Sequence, residues 1–248
     1  MVTAKPVAPI SSLKIVVGAV AVIPFRFRVF ARALAVPFVL YTAFDSVWLL
    51  QPALEFYDRF RWPMFALTQL LDLALYTITA VTTHRIVLLG ASSVPRYGIE
   101  WARHTTRFFA FALSFTSAGY ATAFILSWGF RTSEPVALSF LPSMGLTLGT
   151  WVLAFFLARL LLVFPAAAVG QPITLLRSWE LTRQRQVLMF LIVIVYPILI
   201  GLPTYVISDS STAGYLLRSV IELPALVVTV ILLSFAYQQI QKERLGAE

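Results

Sequence analysis

The sequence contains no cysteine, which excludes a disulfide framework, a thiol nucleophile and a thiolate metal site, and leaves the redox compartment unmarked. Histidine is nearly as scarce, with only His84 and His104, and neither sits in a metal-binding or catalytic motif. No HExxH, GxSxG or phosphate-cradling glycine loop occurs anywhere in the chain. No catalytic residue, metal or cofactor is therefore expected. Charge is also sparse, at 12% of residues against 59% hydrophobic, where soluble domains carry about 25% and about 45–50%. No hydrophilic block is long enough for a soluble domain, so a single membrane domain is expected.

What is present is a series of apolar runs. They predict an all-α polytopic membrane protein with six transmembrane helices, at 29–50, 63–83, 108–130, 136–158, 187–208 and 218–237, plus amphipathic interfacial helices. Residues 1–28 form an N-terminal interfacial amphipathic segment, 29–237 the membrane domain and 238–248 a short tail. The apolar patch between Lys14 and Arg26 is too short to span, and Phe25, Phe27 and Phe30 are expected to anchor it in the interface. The arginines at 26, 28 and 32 between this patch and Ala33-Leu34-Ala35 argue against a cleaved leader.

The excess of Lys and Arg, a formal net charge of +8, would suggest nucleic acid in a soluble protein, but here topology explains it and no nucleic-acid partner is expected. Fifteen basic residues fall on the side of the termini and the two long loops, against Arg59, Arg61, Arg131 and Arg218 on the other. The positive-inside rule then places both termini and the two long basic loops in the cytoplasm.

Two loops carry the basic residues. After Pro95, Tyr97, Trp101, His104 and Phe108 recur at helical spacing, with Arg96, Glu100, Arg103 and Arg107 a quarter turn away. This pattern predicts an amphipathic surface helix in which Arg96, Trp101, Arg103 and Arg107 meet anionic lipid or a partner. The second loop has Leu175, Leu176 and Trp179 on one face and arginines at its far end. Both follow a span ending in a basic residue, Arg85 or Arg159, then a proline, then a segment with one tryptophan, a faint internal repeat.

Within the spans, Ala110, Ser114, Ala118 and Thr122 recur every fourth residue, and Gly145 and Gly149 form a small-residue pair in the next run. These faces predict close packing of the third and fourth spans as an antiparallel hairpin. Pro197, Gly201 and Pro203 interrupt the fifth run, as ordinary proline kinks do. Of the acids in the spans, Glu222 follows Arg218 by four residues and is expected to pair with it. Asp72 lies near mid-membrane beside Thr68, Gln69 and Tyr76, which could hydrogen-bond it as a structural polar contact; the alternative is an ion- or proton-coupled site.

The segment ARLLLVFPAAAVGQPITLLRSWELTR, with THRIVLLG at 83–90, resembles six-span alphaproteobacterial inner-membrane proteins of unknown function. It is also similar to the membrane domain ahead of some glycerophosphoryl diester phosphodiesterases. That resemblance implies a helical membrane domain with Arg159, Pro165, Trp179, Thr182 and Arg183 as marked positions and implies no catalytic residue. The phosphodiesterase barrel is expected to be absent, since only eleven residues follow Tyr237.

The expected function is a non-enzymatic scaffold or accessory subunit that binds membrane lipids, other membrane-protein subunits or further copies of itself. The alternative is a small transporter or lipid-handling protein using Asp72; a membrane lipid enzyme would need clustered polar residues that the sequence does not offer. Arg159 would sit about 36 Å along its helix, past the roughly 30 Å hydrocarbon core. It is therefore expected at the interface with Arg183, contacting phosphate or the adjoining helix, and residues 160–172 are expected to run along the membrane surface.

Overall fold

The structure is a computed structural model and describes residues 12–47, 55–131, 140–207 and 212–245. It is all-α, with no strand among the described residues. In chain order the helices are α1 (Ser12–Phe25), α2 (Phe27–Val47), α3 (Glu55–Leu88), α4 (Arg103–Arg131), α5 (Phe140–Leu157), α6 (Val163–Ala168), α7 (Leu175–Thr182), α8 (Gln186–Phe190), α9 (Tyr196–Val206) and α10 (Thr212–Leu245). Short 3-10 turns stand at Ala91–Ser93 and Ala158–Leu160, and a π-helical segment, Leu191–Val195, joins α8 to α9.

Five stretches are long and apolar enough to cross a membrane among the described residues: Phe27–Phe44, Pro63–Leu88, Leu148–Ala168, Gln186–Thr204 and Leu216–Glu243. The chain is a polytopic membrane protein. The third expected span lies within α4, a 29-residue helix that is not among the five. The fourth lies deeper in the sequence than expected, because the apolar run continues through the turn at Arg159 into α6. Pro165 is the third residue of α6, where a helix needs no backbone N–H from it. Gly170 closes α6 at φ 77°, with Gly170 N–H on Ala167 O at 3.0 Å and Gln171 N–H on Ala166 O at 2.9 Å. This paired closure requires the left-handed conformation that glycine adopts without strain. Pro197, at the start of α9, has no N–H for the carbonyl one turn earlier. The π-helical hydrogen bonding just before it absorbs that loss, so the fifth run stays one continuous helical stretch.

α10 is the hub, packing against α3, α9, α1 and α2. With no hydrophobic drive between helices in lipid, such contacts rest on close fit. A Cβ on Gly18 of α1 would meet the Phe235 ring at 3.4 Å, and Ile15 and Ala19 are buried in the same cluster as Ile231, Leu232 and Ala236. α1 thus packs on the bundle, while Leu13, Val17 and Phe25 face outward. Phe30, expected as an interfacial anchor, is instead 6% exposed in that core. A second cluster joins Ala80 and Val81 of α3, Phe108 and Ala112 of α4, Ala167 and Ala168 of α6 and Val230 of α10. The run after Arg159 is therefore protein core, not a surface segment: Leu162, Val163, Ala166, Ala167 and Ala168 are fully buried.

Candidate functional site

The expected amphipathic helix after Pro95 does not form. Gly98 N–H bonds to Pro95 O at 3.1 Å in a turn, and Gly98 has φ 66°. A Cβ there would lie 2.0 Å from Ala33 O, and Gly98 O accepts from the Thr82 hydroxyl at 2.9 Å. The loop is seated on α2 and α3 by a backbone approach only glycine permits, and helix begins only at Arg103. The aromatic stripe is split accordingly. Phe108 enters the core beside His84 and Phe164, while Tyr97 and Trp101 stay exposed. Arg96 lies 5.6 Å from the Tyr97 ring centroid, Trp101 meets Phe109 edge-on at 5.5 Å, Arg103 is exposed and Arg107 half-buried. The four residues proposed there share no hydrogen bond or ring contact with one another among the described residues.

Arg85 fastens this loop. Its Nε and Nη2 both donate to Ser93 O, at 3.0 and 2.7 Å, and its Nη1 lies 3.4 Å from His104 Nε2. Burial first, and then the Arg85 charge, hold His104 below its ordinary pKa of 6.5, with Glu100 opposing. His84 is 1% exposed inside the bundle, its Nδ1 2.7 Å from the Ser234 hydroxyl.

The second loop builds a tighter knot on Arg159. The Thr174 hydroxyl caps α7 by accepting from Arg177 N–H at 3.1 Å. This helix then presents Ser178, Trp179 and Thr182 to the turn at Arg159. The guanidinium lies 3.6 Å from the Trp179 ring centroid, and its Nη2 donates to Trp179 O at 2.7 Å. The break after α5 frees Arg159 O, and the Ser178 hydroxyl donates to it at 2.7 Å. Arg159 is 5% exposed, and no carboxylate pairs with it among the described residues. A buried guanidinium is tolerated here because the indole face and a carbonyl replace its hydration. Phe156 stacks on Trp179 at 6.1 Å. Arg159 thus contacts the adjoining helix, one residue from the exposed Arg183.

Of the acids, Glu222 receives Arg218 Nε at 2.8 Å and also the Tyr41 hydroxyl at 3.2 Å, from α2. Asp72 is half-buried on α3. The Thr68 hydroxyl donates to Phe65 O at 2.8 Å, and Gln69 Oε1 accepts from Tyr120 at 2.6 Å. A cavity of about 160 Å3 nearby is lined by Tyr76, His84, Phe108, Phe164 and Thr229 among others, and Asp72 is not one of its lining residues.

The small-residue faces also depart from expectation. α4 packs chiefly on α3 and α6, and α5 on the 3-10 turn and α8. Between them lies a groove of about 580 Å3, lined by Ser114, Ala118, Gly119 and Thr122 from α4 and by Thr150 and Ala154 from α5, among others. A Cβ at Gly119 or Gly149 would meet nothing within 4 Å. Gly145 lies where side-chain surroundings are outside the described set. The expected hairpin contact is therefore replaced by a groove, because the aromatic residues of α4, led by Phe108, anchor it on α3 and α6 instead. Comparison with family models, with curated proteins and with solved structures returns no match.

Proposed function

We propose that this protein is a non-enzymatic integral membrane scaffold or accessory subunit whose α4–α5 groove receives a transmembrane helix of a partner membrane protein. The observation that carries this reading is the groove itself. Ala110, Ser114, Ala118 and Gly119 are exposed, although small residues in membrane helices are the ones that let two backbones approach closely. Hydroxyls at Ser114 and Thr122 already bond back to Ala110 O and Ala118 O, both at 2.8 Å, so an incoming helix meets a satisfied, shallow surface.

The orientation follows the basic end of the bundle. Arg185 pairs with Glu243 at 3.0 Å, Arg26 donates to Ile86 O and Gly98 abuts Ala33, so the N-terminal helices, both basic loops and the end of α10 meet at one end. We assign this end to the cytoplasmic face of a bacterial inner membrane, consistent with the positive-inside rule. The test is gentle extraction from native membranes followed by mass measurement. A stable complex with another membrane protein, or with a second copy, that is lost on Ala118→Trp supports the reading; a solitary monomer in both mild detergent and nanodiscs overturns it.

A further inference from the structure

At the basic end of the bundle, Ser12, Arg183, Gln184, Arg185, Gln186, Val187, Leu188 and Leu191 line an open cavity of about 370 Å3. Its lining mixes polar and aliphatic groups. The lining offers a hydroxyl, two amides and two guanidiniums together with the aliphatic Val187, Leu188 and Leu191, of which Val187 is 63% exposed. Arg185 is committed to Glu243 at 3.0 Å. The Arg183 guanidinium has no acceptor among the described residues, and the buried Arg159 adjoins it through Thr182. Arg177, the remaining arginine of this loop, pairs with Glu180 at 3.3 Å. The cavity lining thus carries two guanidiniums and no carboxylate, and of the two only Arg185 is paired among the described residues, with Glu243.

Such an arrangement is complementary to one ligand chemistry, an anion carrying an apolar extension. Val187 and Leu191 belong to the stretch Gln186–Thr204, which is apolar enough to cross the membrane. The polar rim therefore sits where a span leaves the hydrocarbon, at the depth of lipid phosphates. We propose that this cavity binds one anionic phospholipid. Arg183 takes its phosphodiester, Gln184, Gln186 and Ser12 supply further hydrogen-bonding groups, and Val187 and Leu191 carry the upper part of an acyl chain. The inference concerns a different face from the α4–α5 groove and stands whether or not a partner helix occupies that groove.

Native mass spectrometry of the full chain, released from nanodiscs containing phosphatidylglycerol and phosphatidylcholine, tests it. One phosphatidylglycerol should be retained in preference to phosphatidylcholine. Arg183→Gln should weaken that retention about fivefold, the effect of about one basic residue near a headgroup, and Arg183→Lys should restore most of it. Val187→Gln should weaken lipid retention without changing any binding of inorganic phosphate. Arg183 is exposed and makes no side-chain hydrogen bond or ion pair among the described residues, so its variants should melt as the parent does. Equal retention of the two lipids, retention unchanged in Arg183→Gln, or displacement of the lipid by millimolar inorganic phosphate would each overturn the proposal.

Discussion

Two faces of this molecule are built from the same small residues and end in opposite states. In α6, Ala166, Ala167 and Ala168 are sealed at 0% exposure, between α3, α4 and α10. In α4, Ser114, Ala118 and Gly119 stand open on a groove. The difference lies in what flanks each set. The alanines of α6 are held in place by a turn knotted on Arg159 and by Phe164, which meets Phe108, Phe111 and Phe115. Of those aromatics only Phe115 is among the residues lining the groove beside the stripe of α4. Small residues permit close approach, but an anchor elsewhere decides which of two small faces is covered from within the chain.

If that contrast is right, substitutions on the packed side cost stability and those on the open side do not. The largest loss is expected from Gly98→Ala. Its Cβ would stand 2.0 Å from Ala33 O, on a backbone conformation that itself disfavours alanine, so about 3 kcal/mol or more should be lost. Thermal unfolding in detergent checks this. Arg159→Leu comes next, at about 3 kcal/mol, from a charge-assisted hydrogen bond and a desolvated cation–π contact. In the cysteine-free background, a cysteine at Ala166 should resist maleimide while Arg159 is present and react when it is leucine. Equal reactivity would separate the knot from the sealing of α6.

The comparison is drawn most directly by a matched pair. Ala167→Leu forces a larger side chain into a filled site and should cost about 2 kcal/mol, whereas Ala118→Leu should change stability by less than about 0.5 kcal/mol. Similar melting shifts for the two would break the distinction between the faces. The smallest effect belongs to His104. Its pKa is lowered in the folded protein, so below about pH 6.5 the unfolded chain binds the proton first, and stability falls as pH drops toward the folded value. Melting at pH 7.5 and 5 should show a larger loss for the parent than for His104→Gln.

The all-α polytopic architecture was legible because hydropathy is a property of the chain itself. The Arg218–Glu222 pair was legible for the same reason, since four residues on a helix is local geometry. What the sequence concealed is tertiary. The wheel after Pro95 looked helical because spacing is blind to Gly98, whose role depends on Ala33, sixty-five residues earlier. Arg159 read as the end of a span because the estimate of depth counted residues and could not include an indole that replaces water. The hydroxyls at Ser178 and Thr182, one turn apart, were the available signal for that contact. Of the site residues, Arg159 and Trp179 come together, Arg183 adjoins them, and Arg96 through Arg107 divide between loop and helix.

The central claim is that the α4–α5 groove is open to another protein, and site-directed crosslinking in native membranes addresses it. Single cysteines would replace Ala118 in the groove and Leu70 on the exposed face of α3, each carrying a maleimide–benzophenone crosslinker. A discrete higher-mass adduct at position 118 alone, containing a membrane protein or a second copy, is the predicted result. Lipid adducts only at position 118, or the same protein adducts at both positions, would contradict it.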